Sequence, residues 1–329
     1  LVDGIESPDV FYISKTNGKI ENIVLAEKKQ KLIIDESGIL KTIEILDREK
    51  NIPSLTMGCI YALVAVGLCL IWGLMEIVNF AHGEMLMLAM FTAFWAFSLY
   101  HIDPILTLPL CMIVLFIIGV ATYFIIIKKI LKAPFLAQIL ATFGLGIFLR
   151  YLAQFMFSPD FRTIKDPILS GNINLGGLFV GIPQLAASLI CIATFIILYS
   201  FINKTEVGIA LLATSEDREA ASLMGINSDK MFALGWGIGA ACLGVAGALM
   251  SNFYYIFPEV GFNFSLIAYV AVALGGFGSI PGSFVAGIII GLVEFLSGLL
   301  IAPAFKYCFV FLIYLLVVFI RPQGLWGRY

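Results

Sequence analysis

From residue 53 onward the chain is dominated by apolar runs about as long as a bilayer is thick. Crossing roughly 30 Å of hydrocarbon takes about 20 mostly apolar residues. The runs at 55–75, 85–101, 105–127, 135–157, 182–202, 231–253, 283–300 and 305–320 meet or approach that length. One further stretch, 264–276 (FSLIAYVAVALGG), is apolar but short. It reads as a half-helix or re-entrant segment, or as a span completed by its flanks, and such interrupted segments often line a transport path. The expected fold class is an all-α polytopic membrane protein with about eight transmembrane helices plus a short half-helix or re-entrant segment. Before residue 53 the pattern changes. VFYISKTNGKI and KLIIDESGILKTIEIL alternate apolar and polar positions, and Asn17-Gly18 is a type I′ hairpin signal. Residues 1–52 therefore read as one or two small β-hairpins, and 53–329 as the transmembrane domain.

Composition supports the bilayer as solvent. The chain is 60% hydrophobic and 13% charged, against about 45–50% and 25% in soluble domains. Residues 1–52 hold eight of the twenty Lys/Arg and ten of the twenty-two Asp/Glu, which marks a boundary near Pro53. Lys128, Lys129, Lys132, Lys204, Arg218, Lys230, Arg321 and Arg328 fall on one side if 264–276 crosses, with Arg162, Lys165 and Lys306 opposite. The basic side is then cytoplasmic and residues 1–52 extracytoplasmic. The chain starts at Leu1, as expected of a fragment or of removal of an upstream segment such as a signal peptide.

Candidate chemistry is sparse. The six cysteines all lie in apolar runs without a CxxC pair, so they read as small hydrophobes and not as disulfide partners or metal ligands. A net charge of −2 without a basic stripe gives no reason to expect nucleic acid. No P-loop, GxSxG or HExxH motif occurs, and the two histidines are His82 and His101. An enzyme is not expected, nor any cofactor.

Four features remain. Asn79-Phe80-Ala81-His82-Gly83-Glu84 places three polar side chains between the first two spans. It reads either as a turn or as a gate at the inner end of a pathway. Gly275-Gly276-Phe277-Gly278-Ser279-Ile280-Pro281-Gly282 is a plain interhelical loop or a broken helix lining a cavity. Arg150 and Glu294 are ionisable groups inside spans, either snorkelling or paired with one another. In the loop 203–230, residues 206–224 read as one helix, with Arg218, Glu219, Ala220 and Ala221 ahead of Gly225. Physical pattern alone makes it an amphipathic surface helix. Small residues four apart, Gly235 and Gly239, Ala240 and Gly244, Gly287 and Gly291, point to close helix packing.

Together, NFAHGEMLMLAMF, REAASLMGINSDKMFALGWGIGAACLGVAGAL, GGFGSIPGSFVAGIIIGLVE and RPQGLWGR resemble the permease subunits of bacterial branched-chain amino acid ABC importers. The resemblance covers about residues 54–328, with the motifs in the family's order. It implies uptake of leucine, isoleucine and valine through the cytoplasmic membrane. It also implies ATPase subunits on the cytoplasmic face, a second permease and an extracytoplasmic binding protein. Glu219, Ala220, Ala221 and Gly225 match the family's coupling pattern EAA-x3-G, without the Leu-Pro that follows in other ABC importers. The polar leader departs from the usual branched-chain permease and loosely resembles the sister urea or short-chain amide permeases, which stand as the alternative. A secondary transporter or channel is a further alternative, against which the coupling-like loop speaks.

Overall fold

The structure is a computed structural model and describes residues 10–13, 20–24, 30–34, 40–44, 53–164, 167–175, 178–301 and 305–327. Strands β1 (Val10–Ile13) and β2 (Ile20–Val24) pair antiparallel with Phe11 opposite Ile23, and β3 (Gln30–Ile34) pairs antiparallel with β4 (Leu40–Glu44), Leu32 opposite Thr42. The expected turn at Asn17-Gly18, like Lys165 and Arg328, lies outside the described residues. The N-terminal strands belong to one compact unit and the helices to another.

The helical body begins with α1 (Pro53–Met75) and α2 (His82–Tyr100). Next comes α3 (Leu108–Thr122), which runs through a π turn at Tyr123–Ile127 into a last turn, α4 (Lys128–Ile130). After α5 (Phe135–Phe157), the short strands β5 (Asn172–Leu175) and β6 (Leu178–Gly181) pair with each other and lead into α6 (Ile182–Lys204). Two short helices, α7 (Glu206–Glu216) and α8 (Arg218–Leu223), precede α9 (Ser228–Met250), α10 (Val260–Gly275), α11 (Ile280–Leu300) and α12 (Lys306–Ile320).

Among the described residues, seven helices are long and apolar enough to cross a membrane. The protein is an all-helical polytopic membrane protein in this body. The last expected span proves shorter than a full crossing, since α12 has 15 residues. The segment expected at 264–276 starts four residues earlier and forms the 16-residue α10. The polar motif at 82–84 is helical and opens α2, three residues before the expected start of that span. A hydropathy scan misses such a start because the polar residues depress the window average.

Two helices form the centre of the bundle: α1 and α9 are 83% buried, whereas α5 and α6 are 22% buried and supply the rim. The centre is held by small residues that let backbones touch, since lipid offers apolar helices no hydrophobic reason to associate. A Cβ on Gly67 would lie 2.7 Å from the Gly239 carbonyl oxygen, and one on Gly239 2.8 Å from that of Gly67. Gly235 faces Leu74 one turn away, so α1 and α9 run antiparallel. Gly244 packs on Cys111 of α3, and Gly287 and Gly291 pack on Ala62 and Gly58 of α1. The helix packing expected from the small-residue spacing is what these positions do.

The contacts repeat under an exchange of halves. α1 packs most extensively on α11 and α9 on α3, while α1 meets α9 and α2 meets α10 across the centre. Swapping α1 with α9, α2 with α10 and α3 with α11 leaves this pattern unchanged. Because α1 and α9 are antiparallel, the arrangement is that of an inverted repeat, a common plan for transport bundles.

Candidate functional site

The exchange centre coincides with the polar motif. His82, the first residue of α2, donates from Nε2 to the carbonyl oxygen of Val64 across 2.9 Å. Val64 stands midway along α1. Residues 76–81 therefore return from the end of α1 to the middle of the bundle before α2 begins. The motif lies at mid-depth, and not at the inner end of the pathway as its place between spans had implied. Non-helical backbone at that depth needs protein partners, and it has them. The Val78 carbonyl accepts from Thr142 Oγ1 at 2.8 Å, and the Ala81 N–H donates to Asn79 Oδ1 at 3.1 Å.

Directly after His82, α2 crosses the first turn of α10. A Cβ on Gly83 would overlap the carbonyl of Gly261, and a Cβ on Gly261 would overlap that of Gly83. The Gly83 N–H donates to Ser265 Oγ at 2.8 Å. Two helix N-termini thus meet in the core, where their unpaired N–H groups carry partial positive charge. Glu84 follows at 3% exposure and accepts from Arg150 Nε at 3.1 Å and from Arg150 Nη2. The guanidinium also stacks over Phe262, 5.4 Å from the ring centre. A buried carboxylate with a bonded cation is the arrangement that makes such a group tolerable.

Arg150 and Glu294 do not pair with each other. Glu294 is buried and binds Lys306 Nζ at 2.9 Å, joining α11 to the start of α12. Sequence spacing could not assign these partners, because each pair joins helices whose separation is set only by packing.

The run Gly275–Gly282 forms a tight connection between α10 and α11. Gly276 and Gly278 adopt φ of +105° and +80°, a conformation costly for other residues. Ser279 caps α11, accepting from the Gly282 N–H at 3.3 Å, and Pro281 sits in its first turn. The C-terminal segment closes on this turn: Leu325 N–H donates to Leu274 O at 2.8 Å and Trp326 N–H to Gly275 O at 3.0 Å.

The loop 203–230 is two helices rather than the single one expected over 206–224. Asp217 breaks it, its carboxylate accepting from the N–H groups of Glu219 and Ala220, both at 2.9 Å. An Asp two residues before the Glu-Ala-Ala run is an N-cap signal that the sequence carried. At the other end Gly225 has φ +84°, with Ile226 N–H donating to Ala221 O at 3.0 Å and Gly225 N–H to Ser222 O at 3.1 Å. That is a Schellman closure, for which glycine is the preferred residue. Ala221 is buried, and Glu219 and Ala220 face out. Arg218 Nη2 binds Asp229 Oδ1 at 3.1 Å, and Lys128 Nζ binds Asp229 Oδ2 at 2.9 Å. One carboxylate thus ties α8 to α9 and to the end of the α3 stretch. Beyond it Leu223 and Met224 are 89% and 83% exposed, an apolar tip that periodicity did not single out.

A bundle of this kind, with irregular backbone buried at mid-depth and a helical projection at one end, is the membrane-embedded component of a transport system. The chain belongs to the branched-chain amino acid transport system permease component family, which matches residues 52–320. It is similar to the high-affinity branched-chain amino acid transport system permease protein BraD of Pseudomonas aeruginosa. The two are 32% identical over 298 residues, covering 85% of this chain and 95% of the relative. The corresponding LivH protein of Escherichia coli K12 is 32% identical over 289 residues, 83% of this chain and 93% of its own length. A probable branched-chain amino acid permease LivH of Methanocaldococcus jannaschii is 29% identical over 282 residues, covering 80% and 88%. No solved structure matches the chain.

Proposed function

We propose that this chain is the permease subunit of an ATP-driven importer that carries branched-chain amino acids through the bacterial cytoplasmic membrane. Its relatives named for that cargo align over nearly their full length, and this agreement carries the reading. The projecting α7–α8 pair supports the mode of energisation. Its exposed Leu223 and Met224, beside Glu219, suit a groove on an ATPase subunit. Arg218, Glu219, Ala220, Ala221 and Gly225 are the coupling residues on this reading. Lys128 and Arg218 share one end of the bundle through Asp229, and the positive-inside rule makes that end cytoplasmic.

α12, at 15 residues shorter than the other seven, is then an eighth apolar helix that crosses only where the bilayer thins to meet it, and α10 is the segment that starts at mid-depth. Residues 1–52 form a separate extracytoplasmic segment ahead of the transmembrane domain 53–329. The partners are two ATPase subunits, a second permease and an extracytoplasmic binding protein. ATP-driven closure of the ATPases would move α7–α8 and shift the bundle between two states, which requires that the states differ in their contacts with the ATPase.

The test is reconstitution in liposomes with the cognate ATPases and binding protein. Leucine uptake that needs both ATP and the binding protein is the expected result. Uptake by the chain alone, or import of urea instead of leucine, would sink the reading.

A further inference from the structure

We infer that Arg150, Glu84, Glu259 and Asn263 form the place where the charged head of the cargo, a zwitterionic α-amino acid, is held midway along the path. The inference rests on the amino acid import proposed above and assigns it a site.

Depth comes first. Gly261 of α10 touches Gly83 of α2, and the neighbouring His82 is bonded to the midpoint of α1. The first turn of α10 is therefore at mid-depth. Glu259 and Asn263, four apart on one face of that turn, are both exposed there, as is Phe262 between them. An exposed carboxylate and an exposed amide at mid-membrane are too costly to face hydrocarbon. This face opens on water or on protein.

The chemistry of the face is paired in sign. Arg150 uses its Nε and Nη2 N–H groups on a single oxygen of Glu84, Oε1. A guanidinium has five N–H donors, so donors remain for a carboxylate in the fork geometry that arginine favours. The other oxygen of Glu84, Oε2, is buried on a side chain only 3% exposed and has no hydrogen-bond partner among the described residues. This oxygen is an acceptor still free for one donor, such as an ammonium, once the side chains that cover it shift. Glu259 is the N-cap of α10, two residues before Gly261, and Gly261 touches Gly83, the residue next to Glu84. The backbone crossing thus brings the two carboxylates to one region, where an ammonium could be shared. The two helix N-termini that meet here add positive potential on the carboxylate side. Phe262, beneath the guanidinium, and Phe80, which is exposed just ahead of α2, supply apolar surface for an aliphatic side chain.

The ligand class is thus an amino acid with both charged groups free and an apolar side chain. Transport requires that such a site be shallow, and an exposed face with one fully buried member meets that need.

The experiment uses the assembled importer in liposomes. Glu259→Gln removes an exposed charge that has no bonded partner among the described residues. It should lower leucine uptake at least fivefold, while ATP hydrolysis stimulated by the loaded binding protein stays within twofold of wild type. Arg150→Lys keeps the ion pair but loses the fork, and should raise the half-saturating concentration of loaded binding protein less than it lowers the maximal uptake. Asn263→Cys, made with Cys308→Ser to remove the exposed native thiol, should react with a charged methanethiosulfonate reagent. Normal uptake by both Glu259→Gln and Arg150→Lys would overturn the site while leaving wild-type leucine import, and hence the broader reading, intact. Absence of labelling at position 263, or a disulfide there to a second permease, would also overturn it, since the face would then be lipid or interface. Failure of the wild-type importer to take up leucine would remove the cargo class and the site together.

Discussion

The imidazole of His82 donates to the carbonyl of Val64 across 2.9 Å and so ties the first residue of α2 to the midpoint of α1. Around that bond stand the other features of the centre of this permease: the return of residues 76–81, the crossing at Gly83 and the burial of Glu84. His82→Leu should fill the space but lose the bond, at a cost of about 1–3 kcal/mol. The thermal midpoint of the detergent-solubilised protein is expected to fall by several degrees. His82→Gln, which keeps a donor, should recover part of it. Equal melting of wild type and His82→Leu would show that the bond does not hold the return segment.

The crossing of α2 and α10 sets a harder limit. Gly83→Ala places a methyl on Ser265 Oγ and on backbone atoms of Gly261, and the backbone cannot move aside as a side-chain tip does. Overpacking of this sort costs about 1–3 kcal/mol or more. Reduced folded yield and a lower melting midpoint are expected. Gly144→Ala is the control, because nothing lies within 4 Å of that position, and it should behave as wild type.

Gly225 tests the projection without touching the bundle. A Cβ there meets nothing within 4 Å, so only its φ of +84° penalises a side chain. For a β-branched residue the left-handed region costs roughly 1–2 kcal/mol or more. Gly225→Val should insert normally, yet lose ATP-dependent uptake as the Schellman closure opens. Gly225→Asn, which tolerates this conformation better, should be milder. The ranking glycine, asparagine, valine in coupled uptake is the measurement. Full activity of the valine variant counts against α8 as a coupling element.

Glu294 and Lys306 offer a test of the α11–α12 contact. Lys306 is 37% exposed, so the loss on breaking the pair should fall below the roughly 3–5 kcal/mol typical of fully buried pairs. Glu294→Gln should lower the melting midpoint, and adding Lys306→Gln should restore part of it by removing the unpaired cation. If the double variant melts lower than the single one, the two groups are not coupled in this way.

Much of this was legible along the chain. Apolar length alone marked the helices, since a bilayer permits little else. The packing role of Gly239, Gly244 and Gly287 followed from four-residue spacing, and the end of α8 at Gly225 from the residue that a left-handed cap prefers. The split of 206–224 at Asp217 was missed because periodicity continues across it, although the cap residue itself was visible. The partners of Arg150 and Glu294 were not legible. Glu84 is 66 residues from Arg150, and no local rule reaches across three helices.

The linear order of residues thus determined which segments enter the membrane, which glycines bring helices together and which family the chain belongs to, because those depend on local length, spacing and motif. Only the tertiary structure decided depth. It took the motif 79–84 from a loop between spans to the middle of the bundle, and brought Glu84, Arg150 and the first turn of α10 to one place. Depth depends on how far the backbone turns back between helices, and that is set by packing partners and not by the residues of the turn itself.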